Sequence, residues 1–235
     1  MLYLIGIGIS DDKDITLRAI DAMKKCEKVY CELYTNVWHG DLRAIEKRVK
    51  KKIAVIDRDK VESDFLLDEA TKNDIALLIP GDPLTATTHI ELMLEAKSKN
   101  INVEIVHAPS IFTAIARTGL QLYKFGRTTT LPRAQKNFKP TSPIDAINEN
   151  RKMGLHTLVL LDIGMTAAEA LKELRDALGD IEAVACCNIS SADEVIKYGK
   201  MSKLEKAKEL AATPAVIVIP GALHFKEQEA LALWK

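Results

Sequence analysis

IALLIPGDPLTATTH, residues 75–89, begins with five consecutive apolar residues, passes through two prolines flanking Gly81-Asp82, and ends in a hydroxyl-rich run. A strand that is apolar at every position buries both of its faces. That pattern belongs to a largely parallel sheet covered by helices. Pro80, Gly81 and Pro83 restrict the backbone of the turn that leaves the strand, and the chain beyond it reads as a helix over 87–99. The loop therefore emerges at a strand's carboxyl end, where open α/β sheets bind ligands. Asp82 offers a carboxylate held by the Asp-Pro turn, and Thr85, Thr87 and Thr88 offer hydroxyls. A plain strand-to-helix turn uses the same residues, so from this stretch alone a binding loop and a simple connection both stay open.

The same alternation extends in both directions. Strands are predicted at 2–7, 29–33, 53–56 and 103–107. Helices are predicted at 17–26, where Leu17, Ile20, Met23 and Cys26 recur at helical spacing, and at 41–52, 63–72 and 111–120. At 124–143, KFGRTTTLPRAQKNFKPTSP, the composition shifts to prolines, hydroxyls and basic residues, which reads as a domain junction or a long functional loop. Beyond it come a helix at 143–152, a strand at 156–162, a helix at 166–178, strands at 183–187 and 194–198, a helix at 203–211, a strand at 215–219 and a helix at 225–234. The expected architecture is two α/β domains with a ligand cleft between them, an N-terminal domain over 1–123 and a C-terminal domain over 124–235.

With 235 residues, 47% of them apolar, the chain can bury a substantial core. Its 33 basic and 33 acidic residues cancel, so long-range attraction to nucleic acid or an anionic membrane has no net charge to act on. No apolar run approaches the roughly 20 residues of a membrane helix. The start MLYLIGIGIS lacks the basic region of a signal peptide and reads as a strand, so a cytoplasmic protein is expected. Cys26, Cys31, Cys186 and Cys187 lack zinc-ligand spacing and the five histidines are scattered, so no metal is expected.

Gly6 and Gly8 open like a dinucleotide fingerprint, but Asp11 stands where the third glycine belongs. Asp11, Asp12 and Asp14 would face any pyrophosphate there. Ser110 follows the strand at 103–107 and caps the next helix, with a ligand hydrogen bond as the alternative. Asp162 closes the strand at 156–162, and Ile219-Pro220-Gly221 echoes Ile79-Pro80-Gly81. No G-x-S-x-G elbow and no Walker sequence is present, so the chemistry reads as binding and positioning, not covalent catalysis.

YLIGIGIS (3–10), PGDPLTATTH (80–89), HAPSIFTAIARTGLQLYKFG (107–126), PTS (140–142) and GLHTLVLLDI (154–163) together resemble the archaeal diphthine synthases, of the tetrapyrrole-methylase-like class of S-adenosylmethionine methyltransferases. The resemblance spans essentially the whole chain, although 164–214 departs from the pattern and ACCNISS stands where relatives carry a more basic stretch. It implies a two-domain α/β enzyme that works as a homodimer. It also implies a methyl donor touched by Ile9, Asp82, Thr85, Ser110, Ile111, Leu161, Ile189 and Ala215. The implied substrate is translation elongation factor 2 carrying a 3-amino-3-carboxypropyl histidine. The amino nitrogen would be methylated successively to a trimethylammonium, with S-adenosylhomocysteine as the other product. Such a donor needs no phosphate cradle, in keeping with the acid-rich glycine turn. Arg127, Arg133, Lys136 and Lys139 would then help hold the protein substrate, or simply coat a solvated linker. The residues alone also permit a tetrapyrrole (precorrin) C-methyltransferase, or an S-adenosylmethionine-binding module without catalysis.

Overall fold

The computed structural model describes residues 1–134 and 140–235. The chain divides into two compact units, Met1–Phe112 and Thr113–Lys235.

In the first unit the strands are β1 (Leu2–Gly6), β2 (Lys28–Glu32), β3 (Ile53–Ile56), β4 (Ile75–Ile79) and β5 (Val103–Val106). They form one sheet in the order β3-β2-β4-β1-β5, parallel throughout. The all-apolar strands β1 and β4 occupy the interior of the sheet and are buried at every residue. Successive side chains alternate between its faces. Tyr3 and Ile5 of β1 point to the face covered by α1 (Leu17–Lys25) and α2 (Leu42–Val49). Leu2 and Leu4 point to the face covered by α3 (Arg58–Val61), α4 (Phe65–Ala70) and α5 (His89–Ser98). Polar side chains set the helix starts: Thr16 accepts from the Ala19 N–H at 3.0 Å, and Asp41 accepts from the Arg43 N–H at 2.9 Å. Basic residues in the last turns of α1 and α2 suit the negative ends of the helix dipoles.

The chain after β1 goes to the α1 face and the chain after β4 to the α5 face. Neighbouring strands whose loops leave to opposite sides define a topological switch point, where such sheets bind ligands. Here it falls between Gly6-x-Gly8 and Pro80-Gly81-Asp82.

A short helix, α6 (Ile111–Ala114), carries the chain into the second unit. The strands there are β6 (Thr129–Leu131), β7 (Thr157–Leu161), β8 (Glu182–Cys187), β9 (Val195–Lys200) and β10 (Ala215–Ile219), in the order β6-β7-β10-β8-β9. Only the β6–β7 pair is parallel. Helices α7 (Ser142–Lys152), α8 (Ala167–Leu178) and α9 (Met201–Leu204) pack on this sheet through Ile147, Leu171, Leu174 and Met201, and α10 (Phe225–Leu231) closes the chain. Helix α8 starts on a full capping box, Thr166 with Glu169.

The two compact units meet at 112/113, eleven residues before the expected junction at 123/124. Residues 113–123 are tied to the C-terminal end of the chain: the Trp234 indole donates to the Thr118 carbonyl at 3.1 Å, and the Gln121 N–H donates to Glu227 at 2.9 Å. Within the stretch expected as a loop, β6 forms because it has β7 to pair with, a non-local partner that local pattern does not reveal. The expected helix at 111–120 is broken into α6 and a 3₁₀ turn, Ile115–Thr118, ending at Gly119. A side chain at Gly119 would sit 2.2 Å from the Ala230 Cβ. The expected helix at 203–211 is likewise split into α9 and a 3₁₀ turn, Lys208–Ala211.

Candidate functional site

The loops after β1, β4 and β5 emerge side by side, because β1 lies between the other two. They interlock through backbone. Gly8 and Gly81 exchange N–H···O bonds of 3.2 and 2.8 Å, both with positive φ, +82° and +74°. A Cβ on Gly6 would lie 2.5 Å from the Gly81 carbonyl and 2.7 Å from the Ala108 Cβ, so only glycine lets the three loops meet. A Cβ on Gly81 would meet nothing nearer than Ile9 Cγ2 at 4.0 Å, so here the backbone stands open on one side.

Asp82 staples this arrangement from within. It is buried, and its two oxygens take four donors. Oδ1 accepts from the Leu84 N–H (3.2 Å) and the Thr85 hydroxyl (3.0 Å); Oδ2 pairs with His107 Nδ1 (2.7 Å) and accepts from the Ala108 N–H (3.3 Å). Burial pushes this carboxyl upward, but those hydrogen bonds, His107 foremost, outweigh it and hold the group below the usual carboxylate range. Asp82 therefore joins the β4 loop to the β5 loop. His107 was one of the scattered histidines of the sequence. Its position directly after an apolar strand, beside Ala108-Pro109-Ser110, was the available signal.

Asp14 has a second internal role. Its Oδ2 accepts from the Ile9 and Ser10 N–H groups at 3.0 and 2.8 Å. The backbone donors that would cradle a phosphate after β1 are thus already filled by a carboxylate.

Ile9, Asp82, Thr85, Ser110 and Ile111 all lie at this one edge of the first sheet. Ser110 is buried, and its hydroxyl receives the Phe112 N–H at 3.3 Å. Leu161, Ile189 and Ala215 are brought together on the second sheet. Ala215 is opposite Cys187, Val216 is opposite Leu160, and Ile189 follows the end of β8, so all three sit at one edge. Arg133 already has partners within the unit. It bonds to Glu169 (3.1 Å) and to the Gly164 carbonyl (2.7 Å). The Arg127 guanidinium is 3.9 Å from Glu149. Lys136 and Lys139 lie outside the described residues.

All four cysteines are buried and unbridged, and burial pushes their thiols up, Cys26 to about 12 and Cys187 to about 11. Among the described residues no group of three or more His, Cys, Asp or Glu converges as a metal set, and no helix is long and apolar enough to cross a membrane.

The parallel first sheet with glycine loops at its switch point, joined to a mainly antiparallel second sheet, is the architecture of a known class. Residues 1–205 match the Tetrapyrrole (Corrin/Porphyrin) Methylases, and the chain belongs to that family. A diphthine synthase from Methanocaldococcus jannaschii is 42% identical over 251 residues, covering 98% of this chain and 97% of the relative. One from Methanococcus maripaludis strain C5 is 40% identical over 249 residues, again covering 98% and 97%. A crystal structure of diphthine synthase superposes with a TM-score of 0.92 at 32% identity, covering 99% of this chain and 95% of the other. Within the methylase family the chain therefore belongs to the diphthine synthases, and it is a methyltransferase.

Proposed function

We propose that the protein uses S-adenosylmethionine to methylate, in successive rounds, the amino nitrogen of a 3-amino-3-carboxypropyl histidine on translation elongation factor 2. The observation that carries this reading is the Asp14 carboxylate seated on the Ile9 and Ser10 N–H groups. Beside the membership in the diphthine synthases, it favours a donor without phosphate at the β1–β4 switch point. The residues there fit such a donor. Gly81 leaves open backbone next to the apolar Ile9, and Thr85 and Ser110 supply hydroxyls. Ile9, Asp82, Thr85, Ser110 and Ile111 on the first sheet, with Leu161, Ile189 and Ala215 on the second, are the proposed donor-contacting set.

When bound, S-adenosylmethionine supplies a methyl group already activated by its sulfonium, so no metal or covalent intermediate is needed. The protein's task is alignment. Holding an amine in line with a reacting carbon is worth up to roughly 7–11 kcal/mol in the best intramolecular cases. Within that task Asp82 acts through the loops it joins. It keeps the Gly81 backbone and the Ala108–Ser110 turn in fixed register. The reading further implies a homodimer working in the cytoplasm.

The test is incubation with labelled methyl donor and, separately, the aminocarboxypropyl-modified factor and a precorrin. Label in the factor supports the proposal. Label in the pigment alone would assign the protein to tetrapyrrole chemistry, and donor binding without transfer to either would make it a binding module.

A further inference from the structure

An amine carried on another protein is met at the surface, so the exposed titratable side chains beside the switch point bear on how it loses its proton. The loop after β1 carries three acids, and each is already engaged. Asp11 accepts from the Lys13 N–H at 2.8 Å, Asp12 pairs with Arg48 at 3.2 Å, and Asp14 accepts from the Ile9 and Ser10 N–H groups. Asp82, on the loop after β4, is buried and takes four donors. His107 differs. It stands directly after β5, and its side chain is 72% exposed. Because β1 lies between β4 and β5, the Asp82–His107 pair spans the end of β1, where Gly6 lets the three loops meet.

The 2.7 Å contact between Asp82 Oδ2 and His107 Nδ1 fixes what the ring can do. An ionised carboxylate only accepts hydrogen bonds, so the proton of the neutral ring sits on Nδ1 and the lone pair on Nε2. Among the described residues Asp82 is the ring's one bonded partner, which leaves Nε2 without one. A carboxylate behind Nδ1 also stabilises the imidazolium formed when Nε2 takes a proton, as it does for a base histidine in acyl transfer. Imidazole is the side chain suited to proton transfer near neutral pH. Asp82 is in turn held by the Leu84 and Ala108 N–H groups and the Thr85 hydroxyl, so the ring is mounted on a fixed base.

We propose that His107 is the base that takes the acceptor amine's proton before each methyl transfer, with Asp82 as the residue that positions it. The inference rests on the amine acceptor proposed above. In each round the acceptor's ammonium gives one proton to His107 Nε2. Loss of that proton is favoured beside a positive sulfonium. The freed lone pair forms the nitrogen–carbon bond, and the carbon–sulfur electrons leave with the sulfide. His107 then passes its proton to solvent, which its exposure allows.

The test uses the full-length protein with S-adenosylmethionine and the modified factor. His107→Asn keeps an N–H for Asp82 and removes Nε2. Its kcat should fall by about 10²-fold or more, with Tm and donor Kd by calorimetry unchanged. The residual rate should climb with pH beyond the parent's plateau, because alkali supplies the free amine that His107 no longer generates. That profile is read against the charged groups of the neighbouring loops: Asp82 after β4, and Asp11, Asp12, Lys13 and Asp14 after β1, with Arg48 on Asp12. In His107→Ala, free imidazole added to the assay should restore part of the rate. A parent-like kcat in His107→Asn overturns the proposal, as does a loss that neither alkali nor imidazole relieves. Ring-nitrogen spectra of the isotope-labelled parent without donor give a check independent of turnover. Neutral His107 should carry its proton on Nδ1, and a proton on Nε2 overturns the assignment. A parent that methylates no factor overturns the functional reading and the base role with it; an active parent with a parent-like His107→Asn overturns the base role alone.

Discussion

Replacing Asp82 by Ala strips four donors of their acceptor at once, and the structure says how the loss divides. The Leu84 and Ala108 N–H groups belong to tightly packed loops, and each buried donor left unsatisfied costs about 1–3 kcal/mol. The Thr85 hydroxyl can rotate, and the His107 side chain is 72% exposed, so both find water. The expected destabilisation is therefore about 2–4 kcal/mol, taking the lower part of the two-donor range because loops relax. A domain-sized protein has about 5–15 kcal/mol to lose, so the variant still folds. At roughly 2–4 °C per kcal/mol for a chain of this size, its Tm should fall by about 5–15 °C. Donor affinity measured by calorimetry below that Tm should fall as well, because the β4 and β5 loops lose their common anchor. Asp82→Asn should be milder, since its amide oxygen can still serve Leu84 and Thr85 while its NH2 cannot accept from Ala108. The pH dependence has a definite sign. The folded carboxyl is depressed below its unfolded value of about 3.9, so its contribution is complete above that value and disappears as pH falls through the folded one. An Asp82→Ala protein with parental Tm and parental donor affinity would refute the stapling argument.

Glu227 should govern acid stability in the second unit. Burial would raise it, but the Lys124 ammonium, the Gln121 and His224 N–H groups and His156 hold it at about 2. Set against an unfolded value near 4.3, this is worth about 3 kcal/mol, present above pH ~4 and lost toward pH ~2; urea titrations of Glu227→Gln should show a reduced midpoint at pH 7 and a flatter acid limb. Gly6→Ala should abolish donor binding or folding, because its Cβ would sit 2.5 Å from the Gly81 carbonyl; parental donor affinity in calorimetry would contradict the close approach of the loops. Replacing Arg133 by Ala should lower Tm slightly, by a degree or two, through loss of an exposed pair with Glu169, and leave methylation of the factor unchanged across a salt series. Light scattering at micromolar concentration should report a dimer.

Much of the first unit could be read from local pattern, because its determinants are local. The unbroken apolar runs of β1 and β4 require burial on both faces, and that requirement specifies a parallel interior strand whatever else surrounds it. The glycines and prolines at 6–8 and 80–83 mark turns that few other residues can make, and so they marked the loops of the site. What local pattern could not supply was pairing between distant residues. β6 pairs with β7, and the segment 113–123 is tied to the second unit by distant residues such as Trp234, Glu227 and Glu194. The roles of the charged residues depended on tertiary structure most of all. In the sequence Asp14 is one carboxylate among three, and in the fold it fills the backbone donors of the glycine turn. In the sequence Asp82 is a carboxylate on an Asp-Pro turn, and in the fold it is buried and joins two loops through His107, 25 residues away. Hydrogen bonds of this kind are set by which loops the sheet order brings side by side, and that order is a property of the assembled strands, not of any stretch of chain.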